Sequence, residues 1–105
     1  MRKVLVAAAK ADFGTDRFRQ AVETVQAKSN GQSEVISSET IDWPAVMRSE
    51  GSWNASYRWT ARQHDALVLM LTEANGIGKG QYTMWQEFVL AGRPVACVVD
   101  GSLRE

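Results

Sequence analysis

Apolar residues gather in four short runs, separated by stretches with a longer repeat. Val4–Ala9 is continuously apolar, the pattern of a strand covered on both faces. Ala66–Leu71 is the most apolar run and predicts the central strand, while Val95–Val99 predicts the last one. Glu34–Ser38 is more polar, which predicts a strand at a sheet edge. Between the first two runs in sequence, Phe18, Ala21, Val22 and Val25 recur at i, i+3, i+4 and i+7, one face of a helix. Thr15 supplies its N-cap and Ser29-Asn30-Gly31 its stop. Asp42 caps a further helix with Pro44 in its first turn, and Ser49-Glu50-Gly51-Ser52 interrupts it. The piece that follows puts Trp53, Tyr57 and Ala61 on one face. A last helix is predicted over Gln81–Ala91, with Met84, Trp85, Phe88 and Val89 clustered. Gly92 is its left-handed cap and Pro94 bars its continuation.

Strands and helices therefore alternate as βαβαβαβ, which predicts one α/β domain over residues 1–105. The expected form is three-layered, flavodoxin-like or Rossmann-like. It has a four-stranded parallel sheet of order 2-1-3-4 with helices on both faces, since parallel crossovers are right-handed. In such a sheet ligands bind beyond the carboxyl ends of the strands, at the switch point between strands 1 and 3. The loops brought there carry Lys10, Asp12, Phe13 and Gly14 after strand 1, and Glu73 to Gln81 after strand 3.

Composition narrows the function classes. Twelve basic and twelve acidic residues cancel, so the counterion-releasing excess of a bulk nucleic-acid binder is missing, and no nucleic-acid partner is expected. No run approaches the ~18 apolar residues of a membrane span, and the six apolar residues before Lys10 are too few for a signal peptide, so the cytoplasm is the expected location. Cys97 is the sole cysteine and His64 the sole histidine. Neither an internal disulfide nor a metal motif is expected, and no cofactor is implied. Cys97, inside an apolar run, reads as inert packing. His64, at a helix end before a buried strand, reads as a C-terminal cation or a surface residue.

The clearest chemical signal is Gly76-Ile77-Gly78-Lys79-Gly80, three glycines at alternate positions ahead of a helix. Glycines of this kind let backbone amides approach an anion, the helix N-terminus adds partial positive charge, and Lys79 can pair with a phosphate or carboxylate. The spacing matches neither the Walker nor the dinucleotide pattern. The expected ligand-binding residues are Lys10, Asp12, Phe13, Gly14, Glu73, Gly76, Gly78, Lys79, Gly80, Gln81 and Met84. Asp12 is placed to take a sugar hydroxyl and Phe13 to stack on a ring; a plain turn and helix cap is the alternative. Glycosidic chemistry needs a carboxylate at the sugar carbon. Glu73, at the end of the central strand, and Glu87, two turns into the last helix, are the weak candidates. Both also read as solvated residues. Trp43, Trp53, Trp59 and Trp85 are many for this length and read as core or subunit contact, with an aromatic wall for a base as the alternative.

Three pieces of the second half resemble the nucleoside 2-deoxyribosyltransferase-like superfamily, which includes deoxynucleoside monophosphate N-hydrolases, and more distantly TIR-like domains. They are Gln63–Leu69, the glycine loop Gly76–Gly80, and Ala91-Gly92-Arg93-Pro94-Val95. The resemblance covers about 40 residues and implies the fold, a nucleotide-like ligand and a homodimer. Its acids are not carried over. Met84 stands where the family has its glutamate, and Tyr57 where it has an aspartate. The expectation is a nucleotide- or nucleoside-binding domain without the family's glutamate chemistry. A hydrolase or transferase on N-glycosidic bonds and a protein–protein module, with Trp43, Trp53 and Trp59 as the contact, are the alternatives.

Overall fold

The structure, a computed structural model, describes residues 1–99 and 101–104. Its strands are β1 (Arg2–Ala7), β2 (Ser33–Ser37), β3 (Ala66–Leu71), β4 (Val95–Val99) and β5 (Ser102–Arg104). Its helices are α1 (Asp16–Ser29), α2 (Trp43–Glu50), α3 (Trp53–Arg62) and α4 (Lys79–Leu90). Together the strands form one sheet of order β2-β1-β3-β4-β5. The first four are parallel, with Val4 opposite both Val35 and Ala66, and Leu67 opposite Val95.

The fifth strand corrects the four-stranded expectation. β5 runs antiparallel to β4, with Val99 opposite Ser102 and Val98 opposite Leu103. Three residues, two of them polar, carry no readable period. The reversal is helped by Gly101, whose φ of +78° suits a tight hairpin turn. Leu103 gains its place from packing against the apolar cluster beneath α1.

Alternation along the strands builds a core on each face of the sheet. Val6, Val68, Met70 and Val98 meet Phe18, Ala21 and Val25 of α1. Leu5, Ala7, Leu67 and Leu69 point the other way, to Ala61 of α3 and to Met84 and Phe88 of α4. Helix boundaries follow from local chemistry. Thr15 accepts from the Phe18 amide at 3.2 Å, Asp42 from Ala45 at 3.1 Å and Ser52 from Ala55 at 3.1 Å, each satisfying an orphan first-turn donor. Helix α4 begins at Lys79, two residues earlier than its apolar pattern implies, so Gly80 lies in its first turn. Its expected apolar cluster is split: Met84 and Phe88 are buried, whereas Trp85 and Val89 are exposed. Met84 and Phe88, four apart, lie one above the other toward the sheet, and Trp85 and Val89, each about 100° further round, lie at the open edge of that face.

His64 is not the surface cation that its position implied. It is 7% exposed, and its Nδ1 donates to the Thr60 carbonyl at 2.7 Å. The cation at this helix end is Arg93, which donates to the carbonyls of Arg62 (3.3 Å) and His64 (2.8 Å). Burial holds the imidazole pKa below its ordinary 6.5, and the Lys3 charge acts in the same direction. The unfolded chain then binds a proton more readily than the folded one. Stability is expected to be full above pH 6.5 and to decline as the pH falls through that value towards the lower folded pKa. Urea unfolding at intervals between about pH 7.5 and pH 5 checks this. His64→Gln is expected to flatten part of the decline, and an unchanged slope would contradict it.

Candidate functional site

Strands β1 and β3 lie side by side at the centre of the sheet, and their connections leave in opposite directions. Gln81 fixes the geometry beyond their carboxyl ends. Its Nε2 donates to Ala7 O at 2.9 Å and to Met70 O at 2.8 Å, while its Oε1 accepts from the Gly78 amide at 2.6 Å. One side chain, 1% exposed, thus ties β1 to β3 and caps α4. Its amide is thus engaged with the backbone, and the expected ligand-binding residue Gln81 forms the floor of a cleft.

A cleft of about 240 Å³ opens above this tie. Lys10 and Phe13 come from the loop after β1, Ser38 from the turn after β2, and Trp43, Trp53 and Tyr57 from α2 and α3. Gly78, Lys79, Gly80 and the inner residues Gln81 and Met84 close it from the α4 side. Its wall is aromatic. The Tyr57 ring lies between Trp43 at 4.4 Å and Trp53 at 4.6 Å, both tilted, and Trp43 Nε1 is anchored on Ser38 O at 2.9 Å. Trp53 lines the cleft and remains 38% exposed, so part of it stays open to solvent and to a ligand.

The electrostatics are one-sided. Lys10, Lys79 and the positive end of α4 border the cleft, and no Asp or Glu is among its lining residues. Tyr57 is the other ionisable group there, and burial pushes its phenol pKa up, keeping it protonated at neutral pH. Such a site attracts an anion and offers a ring surface. Among the described residues it holds no carboxylate to stabilise or attack a sugar carbon.

Of the residues expected to bind ligand, Lys10, Phe13, Gly78, Lys79, Gly80, Gln81 and Met84 share this cleft. The others do not line it. Asp12 is 5% exposed; its Oδ1 accepts from Asn75 Nδ2 at 2.9 Å, so it joins the two loops rather than facing outward, and Oδ2 has no partner among the described residues. Gly14 gives its amide to the Glu39 carboxylate and sits by α1. Gly76, at φ +54°, closes a turn by donating to Thr72 O at 2.7 Å. Glu73 opens onto a separate cleft of about 430 Å³ on the α1 side of the sheet, with Arg17, Gln20, Thr24 and Thr72. That cleft is larger, but no aromatic side chain lines it. Glu87 is occupied by Arg58 at 3.7 Å and Arg62 at 3.5 Å, bridging α3 and α4. Among the described residues no cluster of His, Cys, Asp and Glu has the makings of a metal site.

Trp43 and Trp53, which the sequence offers as an aromatic wall only as the second reading, line this cleft together with Tyr57 and Ser38, which sequence reasoning placed elsewhere. A signal was present: Trp53 and Tyr57 share a face in the first turns of their helix, one turn from its N-terminus. What was missing was the knowledge that this end of α3 overhangs the loop after β1. Comparison with family models, with curated proteins and with solved structures gives no match for the chain.

Proposed function

We propose that this α/β domain is a binding module for a small anionic ligand bearing a flat ring, of the nucleotide or nucleoside-derived class, and that it does not cleave what it holds. The observation that carries this reading is the lining of the switch-point cleft: an aromatic wall, two lysines and the start of α4, without a carboxylate. An aromatic wall alone also suits a quaternary ammonium ion. Lys10, Lys79 and the α4 terminus repel that cation and draw an anion. The cleft's volume suits a single ring with one anionic group better than a dinucleotide. This reading keeps the flavodoxin-like fold and the ligand class of the resembled superfamily, within a cytoplasmic protein, without its glutamate chemistry.

A second reading has its own support. Tyr82, Trp85 and Val89 form an exposed apolar stripe along α4, with Tyr82 and Trp85 stacked at 5.6 Å. A second copy of the chain packed on that stripe would make a homodimer, leaving the cleft open.

The test is a thermal-shift series with nucleosides, nucleoside monophosphates, NAD, ADP-ribose and cyclic nucleotides, each hit followed by chromatography for free base. A ligand at 100 times its dissociation constant should stabilise by about 2.7 kcal/mol, or roughly 10–20 °C for a domain of this size. A shift with intact ligand is the expected outcome. Release of free base would overturn the binding-only reading. No shift from any compound, with sedimentation showing concentration-dependent association, would move the function to the α4 stripe.

A further inference from the structure

The packing of Tyr57 against Gly80 is unexplained by the fold. Gly80 lies inside α4, where glycine is a poor helix former, and its backbone is not among those with positive φ. Alanine would satisfy the helix better. What excludes it is the ring: a Cβ at Gly80 would stand 2.4 Å from Tyr57 Cε1, 2.6 Å from Cζ and 3.0 Å from Cδ1. The ring cannot swing aside freely, because Trp43 and Trp53 flank it. Glycine at this position therefore lets the hydroxyl-bearing end of the ring come down onto the first turn of α4.

That end of the ring arrives where Lys79 and the free first-turn amides of α4 favour negative charge. The Tyr57 hydroxyl makes no hydrogen bond with any described residue, and the ring is only half-buried. A phenol held there, unpaired with any described residue and within reach of solvent, is a donor open to a ligand's acceptor. We infer that Tyr57 is a specificity-determining residue of the cleft, its hydroxyl donating to an anionic oxygen of the ligand, with Gly80 as the notch that admits it. The inference rests on the binding reading above and adds to it: the anion, of the phosphate-monoester class, is selected by Tyr57 and the α4 terminus together, while the ring faces the open side of Trp53.

Titration calorimetry tests this with adenosine, guanosine, cytidine and thymidine 5′-monophosphates and the four parent nucleosides, on the wild type, Tyr57→Phe and Gly80→Ala. Tyr57→Phe keeps the ring and removes only the donor. The preference of the wild type for monophosphate over nucleoside should fall about tenfold in this variant, the scale of a hydrogen bond to a charged group, while nucleoside affinity stays the same. Gly80→Ala should lose the same preference by displacing the ring. A purely structural Tyr57 would weaken both ligand types alike, or neither. If both variants keep the wild-type preference, the inference fails and the binding reading stands. If the wild type binds none of the eight, the inference fails, and the binding reading fails with it when NAD, ADP-ribose and cyclic nucleotides also give no thermal shift.

Discussion

Replacing Gln81 with leucine is expected to cost about 3 kcal/mol of stability and to lower the thermal midpoint by roughly 10–20 °C. Leucine resembles glutamine in size and suits a helix, so neither volume nor propensity explains such a loss. The cause is what remains behind. The carbonyls of Ala7 and Met70 lose their shared donor in a buried position, and the partly buried Gly78 amide loses its acceptor. Gln81→Glu separates this cause from loss of the cap alone. It keeps an acceptor for Gly78 but turns a carboxylate onto two carbonyl oxygens, and is expected to be at least as damaging at neutral pH. Denaturant unfolding of both variants measures the effect. A Gln81→Leu protein as stable as the wild type would mean that the tie between β1 and β3 is not what holds the cleft's floor.

The second large effect concerns Met84, the position at which the resembled superfamily carries its glutamate. Met84 is 1% exposed and belongs to the apolar cluster with Leu69, Ala61 and Phe88, although it also reaches the inner side of the cleft. Met84→Glu should therefore destabilise by about 3 kcal/mol or more at neutral pH, since a carboxylate buried there is desolvated among apolar side chains while the cleft's cations, Lys10 and Lys79, are solvent-exposed. Burial would raise the folded-state pKa of that carboxyl above its unfolded value. The penalty should then shrink as the pH falls and the group is protonated. Met84→Leu, which conserves volume, should change stability by less than about 1.5 kcal/mol. Unfolding curves at neutral and acidic pH distinguish the cases. A Met84→Glu protein as stable as the wild type at neutral pH, or one that releases free base from a nucleoside monophosphate, would show that the cleft tolerates the missing acid.

Much of the framework was legible because it rests on local signals. The runs around Val4, Ala66 and Val95 read as buried strands, and the more polar Ser33–Ser37 took the edge. Thr15 and Asp42 cap helices by a mechanism confined to three or four residues, and the order of the four parallel strands follows from handed crossovers. The site was half legible for the same reason. Chain direction alone places Lys10, Phe13 and Gly78–Gly80 at the switch point. Which side of the sheet a loop residue serves was not legible. Strand alternation sends Leu69 to the α4 side and Met70 to the α1 side, but the turn from Thr72 to Gly76 breaks that parity and leaves Glu73 with Arg17. Tyr57 and the helix end at His64 depended on long-range neighbours, Gly80 and Arg93, which no period along the chain connects to them. Trp43 is anchored closer by, on Ser38 five residues back, but its place over the cleft also needs Tyr57 from the next helix.

The central claim is a location: an anionic ring ligand sits over the start of α4, between the loops of β1 and β3. Amide and side-chain NMR shifts of the labelled protein, titrated with the monophosphate giving the largest thermal shift, test it most directly. The account predicts perturbations at Lys10, Phe13, Trp53, Tyr57 and Gly78–Gln81. Perturbations confined to Arg17, Gln20, Thr24 and Glu73, across the sheet, would contradict it.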